Sequence, residues 1–348
     1  MSSGKEIVRR YAKRYLIDAM GAMAQGLFAS LLVGTIISTI GTQCGLPLLV
    51  EIGGYAKAMA GPAMAVAIGY ALKASPLVLF SLAAVGHVAN TLGGRGGPLA
   101  VLILAIIAHE VGMLVSKKTK IDILVTPVVT LLTGALLSYL IAPAIGQAAA
   151  WLGDLIRWGT TQQPLLMGIL VSVLVGIALT LPISSAAICE ALGLVGLAGG
   201  AAVAGCCAQM VGFAIISFRE NRWGGLVAQG LGTSMLQVPN IVRNPRIWLA
   251  PTLASAITGP LATCVFHLEM NGAAISSGMG TCGLVGQIGV YTGWVQEIAD
   301  GTRSAITAMD WIGLVLICFI LPALLSLLFD RLFRRLGWVK DGDMALNL

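Results

Sequence analysis

Long charge-free stretches alternate with short polar punctuation along this chain. Ala19 to Val50 separates Asp18 from Glu51, and Trp158 to Cys189 separates Arg157 from Glu190. About 20 apolar residues cross a hydrocarbon core as a helix, so each run holds a span plus a turn or a second partial element. The pattern predicts spans near residues 20–42, 57–73, 76–92, 98–116, 122–143, 164–181, 200–217, 247–267 and 306–329. Two further stretches, 224–241 and 270–295, are uncharged but rich in Gly and polar residues, as in re-entrant or broken helices. The expected fold is an all-α polytopic membrane protein with about nine to eleven membrane segments.

Composition removes the alternative of a water-soluble globule. The 348 residues are 57% hydrophobic and 10% charged, with a mean hydropathy of +0.91, too little polar surface to cover a body of this size. The net charge of +6 does not call for nucleic acid, because the excess lies at the flanks of apolar runs, where anionic lipid favours it. Lys5, Arg9, Arg10, Lys13 and Arg14 precede the first run and place the amino terminus in the cytoplasm by the positive-inside rule. "SKKTK" at 116–120 and Arg331, Arg334, Arg335 and Lys340 are expected on the same side. The first run is too long for a signal-peptide core and lacks a cleavage site, so it reads as a retained span.

The spans fall into two copies. "GLFASLLVG" at 26–34 matches "GILVSVLVG" at 168–176; "AVAIGYAL" at 65–72 matches "AQMVGFAI" at 208–215; "GHVANTLG" at 86–93 matches "GLVAQGLG" at 225–232. The separations are 142, 143 and 139 residues, so the order is a tandem repeat, inverted if each half crosses an odd number of times. "AVLILAIIAHEVGML" at 100–114 has no counterpart. The organisation expected is a basic amino terminus at 1–19, repeat one at 20–145, an interfacial connector at 146–163, repeat two at 164–295, and a carboxy-terminal helix with basic tail at 296–348. Related halves around a mid-membrane site are the architecture of transporters. Gly- and Pro-interrupted segments such as "ANTLGGRGGP" and "AQGLGTSMLQVPN" are tolerable at that depth where protein, water or a solute satisfies their backbone.

No nucleotide loop, metalloprotease helix or nucleophile elbow is present, and no stretch outside the apolar segments is long enough to fold a soluble catalytic domain. The chain therefore reads as a transporter and not an enzyme, with no cofactor and no metal. The seven cysteines are spread through apolar segments without metal-like spacing and read as small packing residues.

"LTLPISSAAI" at 179–188, the stretch from "AGCCAQMVGFAII" to "NIVRNPRIW" at 204–248, and "GMGTCGLVGQ" at 278–287 resemble the sugar phosphotransferase system subunit IIC family, and more closely its branch named after the perfringolysin regulator. The resemblance covers about residues 20–290. It implies a multi-pass permease of the bacterial inner membrane that takes a sugar or related small polar solute inward by alternating access. It also implies separate IIA and IIB partner proteins that carry the phosphoryl group, and a homodimer. The small-residue run "GLVGLAGGAAVAG" at 193–205 would suit close approach of two subunits or of helices within one. A proton- or sodium-coupled secondary transporter and a membrane sensor of gene expression are the competing readings.

Candidate binding residues follow from chemistry. Gln229, Ser234, Gln237 and Asn240 place uncharged donors and acceptors along one broken segment, which suits sugar hydroxyls; the plain alternative is that they join helices. Asn90 occupies the place of Gln229 in the first copy, and the two are expected to line one pocket from opposite repeats, closed by Glu269 beside Asn271. Sugar-binding members of the family are similar in using a membrane glutamate near a hairpin. Intramembrane acids are functional candidates by default, which adds Glu51, Glu110 and Glu190. His87 and His109 offer proton chemistry, although His109 and Glu110, adjacent on a helix, diverge by about 100° and need not pair. Ser184, Ser185 and Gln209 complete the set, and "SFRENRWGG" at 217–225 reads as a charged loop with Trp223 at headgroup level.

Overall fold

The computed structural model describes Tyr11 and residues 13–346. Among them the regular structure is helical, apart from one isolated bridge between Gly196 and Met270. In chain order the helices are α1 (Lys13–Gln43), α2 (Pro47–Ala58), α3 (Ala60–Ala71), α4 (Pro76–Gly93), α5 (Gly97–Val115), α6 (Asp122–Thr160) and α7 (Pro164–Thr180). There follow α8 (Ser185–Leu192), α9 (Gly196–Ile216), α10 (Phe218–Val227), α11 (Val238–Arg243), α12 (Leu249–Pro260), α13 (Val285–Ala299) and α14 (Ala308–Arg335). Six stretches are long and apolar enough to cross a membrane: Lys13–Gln43, Pro76–Val115, Asp122–Thr160, Gly196–Ile216, Pro245–Val265 and Ala308–Arg335. The second contains both α4 and α5, and α3 and α7 are shorter apolar helices, so each of the nine predicted spans has a helix. Proline opens α2, α4 and α7 within the first turn, where its missing N–H is no loss.

The helices up to Ala149 form one compact unit and those from Ala150 a second, the division falling within α6. That helix runs unbroken to Thr160, with Pro127 and Pro143 inside it; residues 146–160, read as a connector, are its continuation. In the first unit α1 packs on α3, and α3 on α4. Glycines set these distances: Gly26 lies against the backbone of Ala63 and Met64, and a Cβ at Gly61 or Gly86 would strike the carbonyl oxygen of the other. The break after "GHVANT" comes only at Gly94, whose φ of +50° ends α4 and leads through one 3-10 turn into α5.

In the second unit α9 is buried along almost its whole length, against α7, α12 and α14. The small residues that suit close subunit approach are used within the chain: Gly205 meets the Ser172 carbonyl, Gly200 the Leu268 carbonyl, and Gly199 the Ser277 hydroxyl. Residues 217–225, expected as a loop, are helical from Phe218 onward, with a kink at Arg222, where φ is +51°. Trp223 is exposed, as its interfacial reading requires. The second octet passes from α10 into a π turn, Ala228–Gly232, and then into extended backbone at Thr233 and a 3-10 turn, Ser234–Gln237. The copies thus differ: α4 is regular through its octet, while the second octet unwinds.

Residues 266–284 form an irregular glycine-rich loop fixed to α8 and the start of α9. Ser277 Oγ donates to the Leu194 carbonyl at 2.6 Å, Ser185 Oγ donates to the Gly278 carbonyl at 2.8 Å, and Gly196 and Met270 exchange backbone bonds of 3.0 Å each way. His267 at φ +46° and Leu284 at φ +59° flank the loop in the left-handed region. Non-glycine residues hold that conformation only where the surroundings over-determine it.

Candidate functional site

The unwound segment after α10 gathers carboxamides into one buried network. Gln229 Nε2 donates to Ser217 Oγ at 2.9 Å and to the Gly225 carbonyl at 3.0 Å, while its Oε1 accepts from Gln237 Nε2 at 2.8 Å. Gln237 Nε2 also donates to the Met344 carbonyl at 3.0 Å, and Asn240 Nδ2 donates to Gln237 Oε1 at 2.8 Å and to the Ala345 carbonyl at 2.9 Å. Asn221 adds a reciprocal pair with the same tail, donating to the Met344 carbonyl and accepting from Leu346 N–H. Gln229, Gln237 and Asn240 are all buried. The three carboxamides meet, and their groups are taken by one another and by the carboxy-terminal tail. The tail's part has no signal in the sequence, because only backbone carbonyls contribute.

Ser234 belongs to a neighbouring cluster. Its hydroxyl lies 2.8 Å from Thr180 Oγ1, which donates to Gln209 Oε1 at 3.3 Å; Gln209 also accepts from Trp248 Nε1 at 2.9 Å and donates to Thr252 Oγ1 at 3.2 Å. This cluster ties α7, α9 and α12 together at full burial of Ser234, Thr180 and Gln209.

Glu269 stands in different surroundings. Its Oε2 accepts from Asn271 Nδ2 at 2.9 Å, and the same nitrogen donates to Glu297 Oε1 at 2.5 Å. Asn271 Oδ1 accepts from Gly196 N–H at 3.0 Å, which fixes the amide between the two carboxylates. Arg303 pairs with Glu297 at 3.0 Å and with Asp310 at 2.5 Å, and its guanidinium lies 5.4 Å from the Trp294 ring centre. The arginine therefore balances Glu297 and Asp310, not Glu269. Glu269 is half-buried and has no ion pair among the described residues, and its Oε1 accepts no hydrogen bond among them. A carboxylate held on one side and open on the other is an acceptor for solute hydroxyls. Gln287 Oε1, on α13, is a further buried acceptor without a partner among the described residues, while its Nε2 donates to Cys207 Sγ at 3.1 Å. Glu297 and Arg303 follow the glycine-rich loop without a motif, so their meeting with Asn271 is a product of folding.

The remaining candidates have other surroundings. Asn90 is half-buried on α4, against Gly61 and Gly97, and its carboxamide makes no hydrogen bond among the described residues. His87 is exposed one turn before it. Glu51 and Glu190 both sit on exposed faces of the short helices α2 and α8, Glu51 accepting from Tyr55 Oη at 2.5 Å. Ser184 caps α8 by accepting from Ala187 N–H at 3.2 Å, and Ser185 holds the loop as described. His109 and Glu110 do meet, against the expectation from helical geometry: His109 Nδ1 lies 3.2 Å from Glu110 Oε1, which pairs with Arg14 at 2.8 Å. His109 is fully buried, and its Nε2 has no hydrogen-bond partner among the described residues.

No group of three metal-ligating side chains occurs among the described residues. No curated protein and no solved structure matches this chain. The family model described as "Phosphotransferase system, EIIC" matches residues 17–346, nearly the whole chain, and this polytopic membrane protein belongs to the phosphotransferase system EIIC family.

Proposed function

We propose that the chain binds a sugar or related small polar solute and carries it inward by alternating access, with the phosphoryl group delivered by separate IIA and IIB proteins. Family membership points to a sugar-specific permease of the phosphotransferase system in the inner membrane; the amino terminus is cytoplasmic in this proposal. The observation that carries the site is the half-buried Glu269 carboxylate, positioned by Asn271, with no cation and no partner for its Oε1 among the described residues. Two tandem repeats are supported by the packing of the first helix on the third in both units, α1 on α3 and α7 on α9. The homodimer rests on the family alone; within the small-residue run at 193–205, Gly199 to Gly205 are buried inside the chain.

The test is uptake by membrane vesicles across a panel of sugars. The expected result is accumulation that requires phosphoenolpyruvate and the soluble phosphotransferase proteins. Glu269→Gln should weaken solute affinity about tenfold to a hundredfold, the loss of a hydrogen bond to a charged group worth roughly 1.5–3 kcal/mol. Full affinity in that variant would overturn the site. A second reading, coupling to protons, is favoured by one observation, the buried His109 beside Glu110 and Arg14. Uptake that follows a proton gradient without phosphoenolpyruvate, and is lost in His109→Gln, would replace the first reading by this one.

A further inference from the structure

Where α9 and α14 end, a cleft of about 470 Å³ opens, lined by Ile215, Phe218, Trp223, Leu226 and Leu327 on its apolar side. Arg219, Asp330, Arg331 and Arg334 line the rest. The lining carries three arginines against one aspartate. Arg334 is engaged by Asp330 at 2.7 Å, Asp341 at 2.6 Å and Glu220 at 3.7 Å, so its charge is taken within the chain. Arg219 and Arg331 are exposed and form no ion pair among the described residues. Their two positive charges face one concave, half-apolar site of a size that holds a small ligand, roughly 300–1,000 Å³.

The apolar side continues beyond the cleft. Leu324, Leu328 and Arg331 follow one another at four and three residues along α14 and therefore share a face. Leu324 is 59% and Leu328 62% exposed. Exposed leucines leading along a span to an unpaired arginine, with the exposed Trp223 beside it, match a molecule with an anionic head and an apolar tail lying along the helix. We infer that this cleft binds an anionic phospholipid, its phosphate on Arg219 and Arg331 and its acyl chain along Leu324 and Leu328. A soluble phosphate would satisfy the arginines but would leave the leucine face without a role.

Thermal unfolding of the full chain in a neutral detergent tests this, with dioleoylphosphatidylglycerol, dioleoylphosphatidylcholine or inorganic phosphate added. Phosphatidylglycerol alone should raise the midpoint by several degrees. The rise should disappear in Arg219→Gln/Arg331→Gln and persist in Arg335→Gln, an exposed arginine of the same helix end that does not line the cleft. Because Arg219 and Arg331 are exposed, the double variant should keep the wild-type midpoint in detergent without lipid. Equal stabilisation by phosphatidylcholine, stabilisation by inorganic phosphate alone, or a phosphatidylglycerol effect retained by the double variant would each overturn the inference.

Discussion

Gln237 donates its Nε2 to the Gln229 carboxamide oxygen at 2.8 Å, and the same nitrogen reaches the Met344 carbonyl at 3.0 Å. One side chain thereby joins the unwound end of the second octet to the carboxy-terminal tail. Replacing it by alanine leaves Gln229 Oε1 and the Met344 carbonyl without this donor in a buried place. Gln237→Ala should destabilise the protein by about 1–3 kcal/mol, read as a lower thermal midpoint. In the surviving folded fraction, solute affinity should be near that of the wild type. A weakened affinity without loss of stability would return Gln237 to the solute site.

Gly200 and Gly54 make a contrasting pair. A Cβ at Gly200 would fall on the Leu268 carbonyl oxygen, whereas one at Gly54 meets nothing within 4 Å. Gly200→Ala should cost about 1–3 kcal/mol or more, because backbone must move. Gly54→Ala, in the interior of α2, should be neutral or stabilising by roughly 0.5–1 kcal/mol. Yield and thermal midpoint of the two purified variants check this.

The cysteines should separate by reactivity. Cys44 and Cys264 are exposed and the other five are buried. Burial pushes the thiol of Cys189 up to about 12, which leaves almost no thiolate at neutral pH. Iodoacetamide on the folded protein in detergent should modify only Cys44 and Cys264. Peptide mass mapping before and after denaturation gives the answer.

Glu220 predicts a pH dependence. Burial raises its pKa above the ordinary value, outweighing the Gly342 N–H bond and the Arg334 charge, which lower it. The folded state then binds more protons than the unfolded one in the interval from the ordinary value of 4.5 up to the raised folded value, so stability falls as pH rises through that interval. Glu220→Gln removes this contribution. The wild-type midpoint, relative to that variant, should be highest at acid pH and decline towards neutrality. A difference between the two that does not change with pH would refute it.

The class of the molecule was legible in the chain because membrane solvation acts on composition and run length. A run such as 200–217, or Ala19 to Val50, has no stable water-exposed alternative, so its helix follows from the residues themselves. The glycine pattern also carried over, since a position with no Cβ, such as Gly205 or Gly26, records a neighbouring backbone. The resemblance residues at 179–188, 204–248 and 278–287 gave the family before any coordinates.

Which polar groups are free, however, depends on partners distant in sequence. Gln237 and Asn240 are as suitable for sugar hydroxyls by chemistry as Glu269, but Met344 and Ala345 take their donors through backbone carbonyls, which every residue has. Glu269 remains open because Arg303 is engaged by Glu297 and Asp310, residues 28 and 41 positions further along the chain. Helical periodicity separated His109 from Glu110, yet the glutamate's rotatable stem and the pull of Arg14 brought them together. Sequence alone determined the solvent, the helices and the family; tertiary structure decided which donors and charges were already paired, because that pairing depends on distances that no local pattern encodes.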